Sequence, residues 1–502
     1  MSQPALSFAK SIRGILLAIC LILPLPDLMP QASNGIAAAE QQDFDAAVQA
    51  FQDQLLNYQR AEEGFTSFVE RWPQSRLAQA AKLYLAQARH HRGNHLGAVK
   101  LLSDELPSAG RWADQYQFWI GESWFAAEEY EQAANSFAKL LFIYQYSDLR
   151  FRASYGEALA RRRLNQFSDV ISLLENPAGP FRLSAALRPD DRLNSSGHLL
   201  LAETRLEIND LKGTQAAMNK LKGWELDAEQ RWQRQYLLCR LALEAGEPNG
   251  ALTATTNLVD LAEKSGLAEA EAQTFHLQSG ILERLQRLDE AVSVLTKNLT
   301  LGTPARFKRE ALLKLVHIHK DRKQFTSAIT MLDKFSHDNT NDPALPLVYR
   351  TVGETRLDQY HFLPATKQST ATGTDLLKQA TTNFTRALRS SDYFRGQSTF
   401  NRGWCHWHLG HWSAAAKDFA TATSELPLSE SHAVAKYKLA ECQLRLNDVT
   451  NAVANLKQLV EDYRRFGPLR HGLLDQALYK LLTTASSIGD LELAEESVQH
   501  LL

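Results

Sequence analysis

The chain has 502 residues, of which 44% are hydrophobic and 22% charged, and its formal net charge at pH 7 is -2. These proportions are ordinary for a folded protein. The near-neutral charge argues against a nucleic-acid or anionic-membrane surface, so we expect neither kind of partner.

The first predicted element is a targeting segment at the amino terminus. Lys10 and Arg13 precede an apolar stretch over residues 14–23, which is shorter than the ~20 apolar residues that a membrane-spanning helix requires. Small residues at 37–39 then form an A-x-A pattern typical of a cleavage site. These features predict a secretory signal peptide over residues 1–39 and a periplasmic or otherwise exported chain without a membrane span after its removal. An uncleaved membrane anchor and no export are the alternatives.

From residue 40 onward, small residues recur at intervals of about 35 to 52 residues, and almost all are followed four positions later by an apolar residue. Ala133 with Phe137 and Ala415 with Phe419 are the clearest pairs. A spacing of four places both residues on one face of a helix, and this period is typical of stacked helical repeats. Each unit is therefore predicted to be two antiparallel helices that meet at small residues, with a large apolar residue filling the adjacent gap.

The best-defined units resemble the tetratricopeptide repeat (TPR) family. One carries Gly403, Ala415, Phe419, Ala422 and Pro427 at the family's small, aromatic and closing positions. An earlier unit matches at the positions Gly121, Trp124, Tyr130, Ala133 and Phe137. The resemblance implies an all-α, right-handed superhelical solenoid of about twelve helix pairs over residues 40–502. Its repeat style and export signal are similar to those of bacterial cell-envelope TPR proteins.

Two insertions interrupt the predicted array. Residues 175–194 contain three prolines, and residues 361–374 are rich in serine and threonine and are interpreted as a flexible loop. Either segment could be a hinge between parts of the array or an element that contacts a partner.

The inner surface of such a solenoid is formed by its first helices and is the usual partner-binding groove. The repeat register predicts twelve groove residues: Phe118, Glu122, Phe125, Tyr155, Arg162, Tyr236, Arg240, Phe400, Trp404, Trp407, Tyr437 and Glu441. Aromatic residues and arginine are enriched at protein interfaces. The alternative is that many of these aromatic side chains pack between adjacent repeats.

The densest candidate for chemistry is the segment 403–412, where Cys405, His408 and His411 have a spacing that can ligate zinc. The repeat register already gives this segment a packing role, so we expect no metal and no cofactor. Cys239, Cys405 and Cys442 are predicted to be buried free thiols, because equivalent points on stacked helices lie farther apart than a disulfide allows.

No Walker-type loop, nucleophile elbow or H-E-x-x-H motif occurs in the sequence, and we expect no enzymatic activity. The predicted function is an exported, non-enzymatic scaffold that mediates protein–protein interactions in the cell envelope. The alternatives are an accessory helical module for cell-wall or glycan binding and processing, and a carbohydrate-uptake binding protein.

Overall fold

The computed structural model describes residues 38–52, 58–300, 302–464 and 472–501. The predicted signal peptide lies outside these residues except for Ala38 and Ala39, which begin the first helix. Within the described ranges the chain is helical and contains no strand, as the sequence predicts. No helix in this part of the chain is long and apolar enough to cross a membrane.

The chain divides into two compact units, the first ending at Gln286. Its described helices are α1 (Ala38–Gln52), α2 (Tyr58–Arg71), α3 (Ala78–His91), α4 (His95–Glu105), α5 (Ala113–Ala126), α6 (Tyr130–Ile143), α7 (Arg150–Arg163), α8 (Phe167–Glu175), α9 (Pro180–Leu187), α10 (Arg192–Glu207), α11 (Leu211–Lys220), α12 (Ala228–Glu244), α13 (Pro248–Ser265) and α14 (Ala268–Arg284). Two short 3₁₀ turns, Leu106–Ser108 and Gly110–Trp112, join α4 to α5.

The second unit begins at Arg287. Its described helices are α15 (Leu288–Thr296), α16 (Ala305–Asp321), α17 (Phe325–Asp338), α18 (Leu345–Phe362), α19 (Ala365–Gln368), α20 (Ala371–Ser390), α21 (Arg395–His408), α22 (Trp412–Glu425), α23 (Glu430–Arg445), α24 (Val449–Tyr463), α25 (Leu473–Ile488) and α26 (Leu491–Leu501). A 3₁₀ turn, Lys297–Leu299, follows α15.

In both units the helices form antiparallel pairs, and within a unit most second helices pack against their own first helix and against the first helix of the next pair. The first helices of the first unit are α1, α3, α5, α7, α10, α12 and α14, and those of the second are α16, α18, α21, α23 and α25. This arrangement confirms the predicted all-α helical-repeat fold.

A left-handed residue makes the tight turn inside most of the described pairs. Gly93, Gly246, Gly410 and Gly489 have positive φ at this point, and six non-glycine residues have φ near 60° at the same place in other turns: Glu128, Asn165, Asn209, Gln286, Lys323 and Asn447. In the α5–α6 turn, the Glu129 N–H donates to the Trp124 carbonyl at 3.0 Å, which satisfies the end of the first helix.

The predicted small-plus-apolar pairs form the contacts between helices. Phe137 on α6 is fully buried between two glycines, and a Cβ at Gly121 or Gly156 would lie 2.7 or 2.9 Å from its ring. Phe384 packs on Gly353, and Phe419 packs on Gly403, in the same way. Glycine is required at these positions because a phenylalanine ring occupies the space that any side chain would need.

The two predicted insertions are largely helical. Residues 175–194 contain α9, whose Phe181 is 1% exposed and packs on Phe151 with the ring centroids 5.1 Å apart. The prediction of a flexible loop at 361–374 is wrong, because this segment includes α19 and the first turn of α20. Gly373 lies so close to the Gln368 carbonyl that its missing Cβ would be 2.1 Å from that oxygen.

The cysteine prediction is confirmed, since Cys239, Cys405 and Cys442 are buried and free. Burial raises the pKa of the first two thiols to about 12 and that of Cys442 to about 11. Thiols in such surroundings are structural rather than reactive.

Candidate functional site

The first helices of the first unit are joined to one another by side-chain contacts. On α5, Phe118 is 2% exposed, and the Arg152 guanidinium of α7 lies 5.2 Å from its ring centroid. Glu122, one turn later, is half-buried, and burial raises the pKa of its carboxyl to about 7 although Arg152 opposes the shift. Phe125 is half-buried and contacts Tyr130 of α6 at 5.3 Å between ring centroids.

A charged row continues across α7, α10 and α12. Arg162 lies 3.5 Å from Glu203 and 3.6 Å from Glu207, measured from Nη2 to Oε1 in each case. Arg240 of α12 donates to the same Glu207 oxygen at 3.1 Å. The four side chains are 9–16% exposed, so they lie at the surface but are mostly shielded from water. Opposite charges at this depth interact more strongly than a fully exposed pair.

Two tyrosines flank this charged row. Tyr155 is 6% exposed, and burial, reinforced by Glu203, raises its pKa well above the usual value. Tyr236 is half-buried and packs on Trp232, with the ring centroids 5.3 Å apart. Burial also raises the pKa of Tyr236, although Arg240 opposes the shift. We refer to the four charged side chains Arg162, Glu203, Glu207 and Arg240 as the charged row.

An aromatic cluster occupies the first helices α21 and α23 of the second unit. Trp404 and Trp407 are half-buried, with ring centroids 5.7 Å apart. The Lys438 ammonium lies 4.3 Å from the Trp407 centroid and 5.1 Å from that of Trp404. Its charge is balanced by Glu441, whose Oε2 accepts at 2.6 Å. An ammonium over two indole faces is a cation–π arrangement. We refer to Trp404, Trp407, Lys438 and Glu441 as the aromatic cluster.

The cluster is continuous with neighbouring first helices. The His408 ring stacks on Trp404 at 5.8 Å, and its Nε2 lies 3.4 Å from Nε2 of His361 on α18. On the other side, Lys480 of α25 approaches Glu441 to 3.9 Å. Burial lowers the pKa of His408 to about 4, with His361 and Lys438 contributing. Polar and aromatic side chains therefore connect α18, α21, α23 and α25.

The remaining predicted groove residues serve mainly as packing. Tyr437 is 7% exposed, and Phe400 packs on Phe419 with the ring centroids 6.2 Å apart. Trp404 also contacts Phe419, at 6.0 Å. The structure thus brings Arg162, Tyr236 and Arg240 together in one unit and Trp404, Trp407 and Glu441 in the other, while Phe118, Tyr155 and Tyr437 are buried. Their role in binding stays a prediction.

The histidine- and cysteine-rich segment does not converge on one point. Cys405 is buried beside Thr381, and His408 lies among Tyr360, His361 and Trp404. His411 lies beside His406, with ring centroids 5.8 Å apart. Among the described residues no group of three or more His, Cys, Asp or Glu side chains is placed to hold a metal ion.

Sequence reasoning missed the partners of the predicted residues. In the first unit, Glu203 and Glu207 pair with Arg162, and Arg152 lies over the Phe118 ring. In the second unit, Lys438 lies over the indoles of the aromatic cluster. Lys438 lies one position after Tyr437 and three before Glu441, both predicted, so the i,i+3 spacing with Glu441 was a usable signal. Glu203 and Glu207 are four apart on one helix face, but only the fold places them opposite Arg162.

Paired helices, left-handed turns and phenylalanines seated on glycines define a helical-repeat protein. Within that class, residues 434–465 match the model of the tetratricopeptide repeat, a segment that covers most of α23 and α24. The chain therefore contains a tetratricopeptide repeat at this position, in agreement with the resemblance seen in its sequence, and repeats of this kind suggest a protein-interaction scaffold.

Solved structures with similar helices include a tetratricopeptide repeat protein from Parabacteroides merdae, with 16% identity and a TM-score of 0.42 over 56% of this chain and 99% of that one. Naa15/Naa10 bound to HypK-THB matches at 13% identity and a TM-score of 0.29, covering 92% and 77% of the two chains. A monomeric IFIT1 mutant with Gppp-AAAA matches at 15% identity and a TM-score of 0.33, covering 93% of this chain and 91% of that one. No curated protein sequence matches the chain significantly.

Proposed function

We propose that this protein is an exported, non-enzymatic scaffold of the cell envelope that binds extended protein segments along its first helices. The observation that carries the proposal is the aromatic cluster, in which two half-buried indoles, an ammonium and a carboxylate lie on adjacent first helices. Tryptophan, tyrosine and arginine dominate the energetics of protein interfaces, and charged residues beside them select the partner.

The charged row gives a second contact region in the first unit. Its two arginines and two glutamates are mutually paired, so a partner that binds there exchanges one ion pair for another. Such exchange contributes little net affinity but discriminates strongly between partners. Binding through the aromatic cluster with selection by the charged row is the mechanism that we propose.

A crosslinking pull-down from the native host tests the scaffold with the full chain. Trp407→Leu together with Lys438→Gln removes the ring and the ammonium, and we expect at least a tenfold loss of a specifically retained envelope protein, since hot-spot truncations reach about 2 kcal/mol or more. The control is Tyr146→Ala, which removes a fully exposed aromatic ring on another surface. Equal retention by both variants, at equal helicity by circular dichroism, contradicts the proposal. Retention of peptidoglycan or glycan alone would instead favour a cell-wall accessory module.

Export is supported by the basic, apolar and small-residue pattern of the first 39 residues. Cell fractionation of the full chain, compared with a chain that lacks residues 1–39, is the direct test. We expect the full chain in the envelope fraction and the truncated chain in the cytosol. Cytosolic accumulation of both chains would refute the proposed location without affecting the scaffold test.

A further inference from the structure

The insertion helix α9 forms one side of a cleft of about 590 Å³, which lies apart from the charged row and the aromatic cluster. The accessible lining of the cleft is mostly apolar. It comes from the turn after α8, from α9, from the start of α10, and from the end of α11 with the turn that follows it. The lining residues are Pro177, Arg182, Ala185, Ala186, Pro189, Asn194, His198, Lys220 and Trp224. Ala185 and His198 are each 5% exposed and form the floor. Trp224 is 37% exposed and meets the His198 ring edge-to-face at 5.6 Å.

The titratable side chains that line this cleft are all basic types. Arg182 contacts the His198 ring, with 3.4 Å between Nη1 and Nε2, and Lys220 lies close enough to act on the same imidazole. Burial, followed by the charges of Arg182 and Lys220, lowers the pKa of His198 to about 4, so its ring is neutral near pH 7. Asp191, at the start of α10, is engaged in capping by accepting from the Leu193 N–H at 2.9 Å. Two cations beside a mostly apolar lining concentrate positive potential in the cleft.

The cleft also holds an unpaired acceptor. Asn194 is 7% exposed, and its Nδ2 donates to the Pro189 carbonyl at 3.3 Å. Its Oδ1 is buried and has no hydrogen-bond donor among the described residues. A buried acceptor without a donor costs stability, and a ligand N–H would satisfy it.

We propose that this cleft binds a carboxylate that carries an apolar group and an amide N–H, the chemistry of an N-acylated apolar amino acid or of a peptide's carboxyl terminus. Arg182 and Lys220 receive the carboxylate, and Arg182 supplies the charge-assisted hydrogen bonds that a planar guanidinium makes with it. Asn194 accepts from the amide, and Ala185 with Trp224 contact the apolar group. The site combines the insertion helix with the start of α10 and the end of α11, and it shares no residue with the charged row or the aromatic cluster.

Titration of the full chain with N-acetyl-leucine, followed by calorimetry or by NMR of the tryptophan indoles, tests the proposal. We expect saturable binding, about tenfold weaker binding of the uncharged N-acetyl-leucinamide, and about fivefold weaker binding of N-acetyl-leucine to either Arg182→Gln or Lys220→Gln. Lys212→Gln is the matched control, because Lys212 is exposed on the same helix as Lys220 and does not line the cleft. A short peptide with a free carboxyl terminus, compared with its amidated form, distinguishes the two sources of the carboxylate.

Equal affinity for the acid and the amide overturns the proposal, and so does binding that both cleft variants retain in full. Absence of saturable binding of N-acetyl-leucine and of the free-carboxyl peptide also overturns it. Circular dichroism of each variant separates loss of the site from loss of the fold. NMR shifts confined to the indoles of the other tryptophans, with Trp224→Phe binding as tightly as the wild type, would place the ligand elsewhere and refute the assignment.

Discussion

Single residues in the left-handed region set the direction of the chain between paired helices. Glycine takes this conformation without strain, whereas other L-residues incur about 1–2 kcal/mol. Glu128 has φ of 63° in the α5–α6 turn, and no described side-chain contact compensates for it. Its neighbour Glu129 has φ of -87° and precedes α6 as its cap residue.

Glu128→Gly should therefore stabilise the protein by about 0.5–1 kcal/mol, since relief of backbone strain exceeds the entropy that glycine adds to the unfolded chain. Urea denaturation followed by circular dichroism measures the change. The matched control is Glu129→Gly, which makes the same chemical change at an ordinary φ and should give no stabilisation. Equal midpoints for the two variants would show that Glu128 is not strained.

The turn residues also show how far sequence reasoning reaches at this scale. Gly410 is predictable as a turn because glycine is the residue that left-handed positions favour. Glu128 and Lys323 adopt the same conformation, with φ of 63° and 59°, although neither residue type favours it. Only the repeat register, which places them at the point that Gly410 occupies in its own pair, identifies them.

Between helices, the contact of one phenylalanine with two glycines sets the spacing of successive pairs. Gly121→Ala or Gly156→Ala would place a methyl group within 3 Å of the Phe137 ring, so the helices must separate or the ring must move. We expect each substitution to destabilise the protein by about 1–3 kcal/mol, the usual cost of overpacking. The urea midpoint of each single variant is the measurement.

Gly250→Ala is the control for that prediction, because its Cβ would meet only Glu247 side-chain atoms at 3.8 Å and farther. In helix α13 this change should be neutral or stabilise by up to about 1 kcal/mol. Adding Phe137→Leu to Gly121→Ala should cost less than the sum of the two single effects, because both act on one contact. Strict additivity would mean that the ring and the glycine do not share the contact.

The spacing of small and apolar residues in the sequence predicts these helix contacts. It does not predict the helices that form where the repeat is interrupted. Ala415 with Phe419 and Ala133 with Phe137 follow from periodicity, which reflects the helix itself. Helix α9 was not predicted because prolines dominate residues 175–194, yet Pro180 is at the first position of the helix, where proline is well tolerated. The serines and threonines before α20 likewise indicated a loop, although tertiary packing makes the segment helical.

At the scale of the whole molecule, the repeat register predicts which helices carry the candidate groove residues, but it does not predict how deeply each side chain is buried. The register correctly selected residues of first helices, and Arg162, Arg240, Trp404 and Trp407 are half-buried at their surfaces. It could not separate these from Phe118, Tyr155 and Tyr437, which are buried. The difference depends on which side chains of neighbouring helices cover them; Phe118, for example, is covered by Phe137 of α6 and Arg152 of α7.

Buried histidines are spread over both units and give the molecule a common response to acid. Burial lowers the pKa of His90 to about 3, with His91 and His95 contributing, and His198 and His408 to about 4. Eight described histidines have a lowered pKa, whereas three glutamates, Glu122, Glu157 and Glu354, have a raised one and act in the opposite direction. The histidines therefore determine the sign between neutral pH and about pH 5.

A histidine whose folded pKa is depressed stabilises the protein fully above its unfolded pKa of about 6.5, and this stability is lost as the pH falls below that value. For His90, which is 7% exposed and bonded through Nδ1 to Ser123 at 3.1 Å, the loss at about pH 5 is on the order of 2 kcal/mol. We expect the urea midpoint to fall steeply from about pH 7.5 to pH 5. The steepness of this fall measures the number of protons taken up on unfolding, and His90→Gln should reduce that number by about one. A midpoint that is constant or rises on acidification would show that the raised glutamate pKa values prevail.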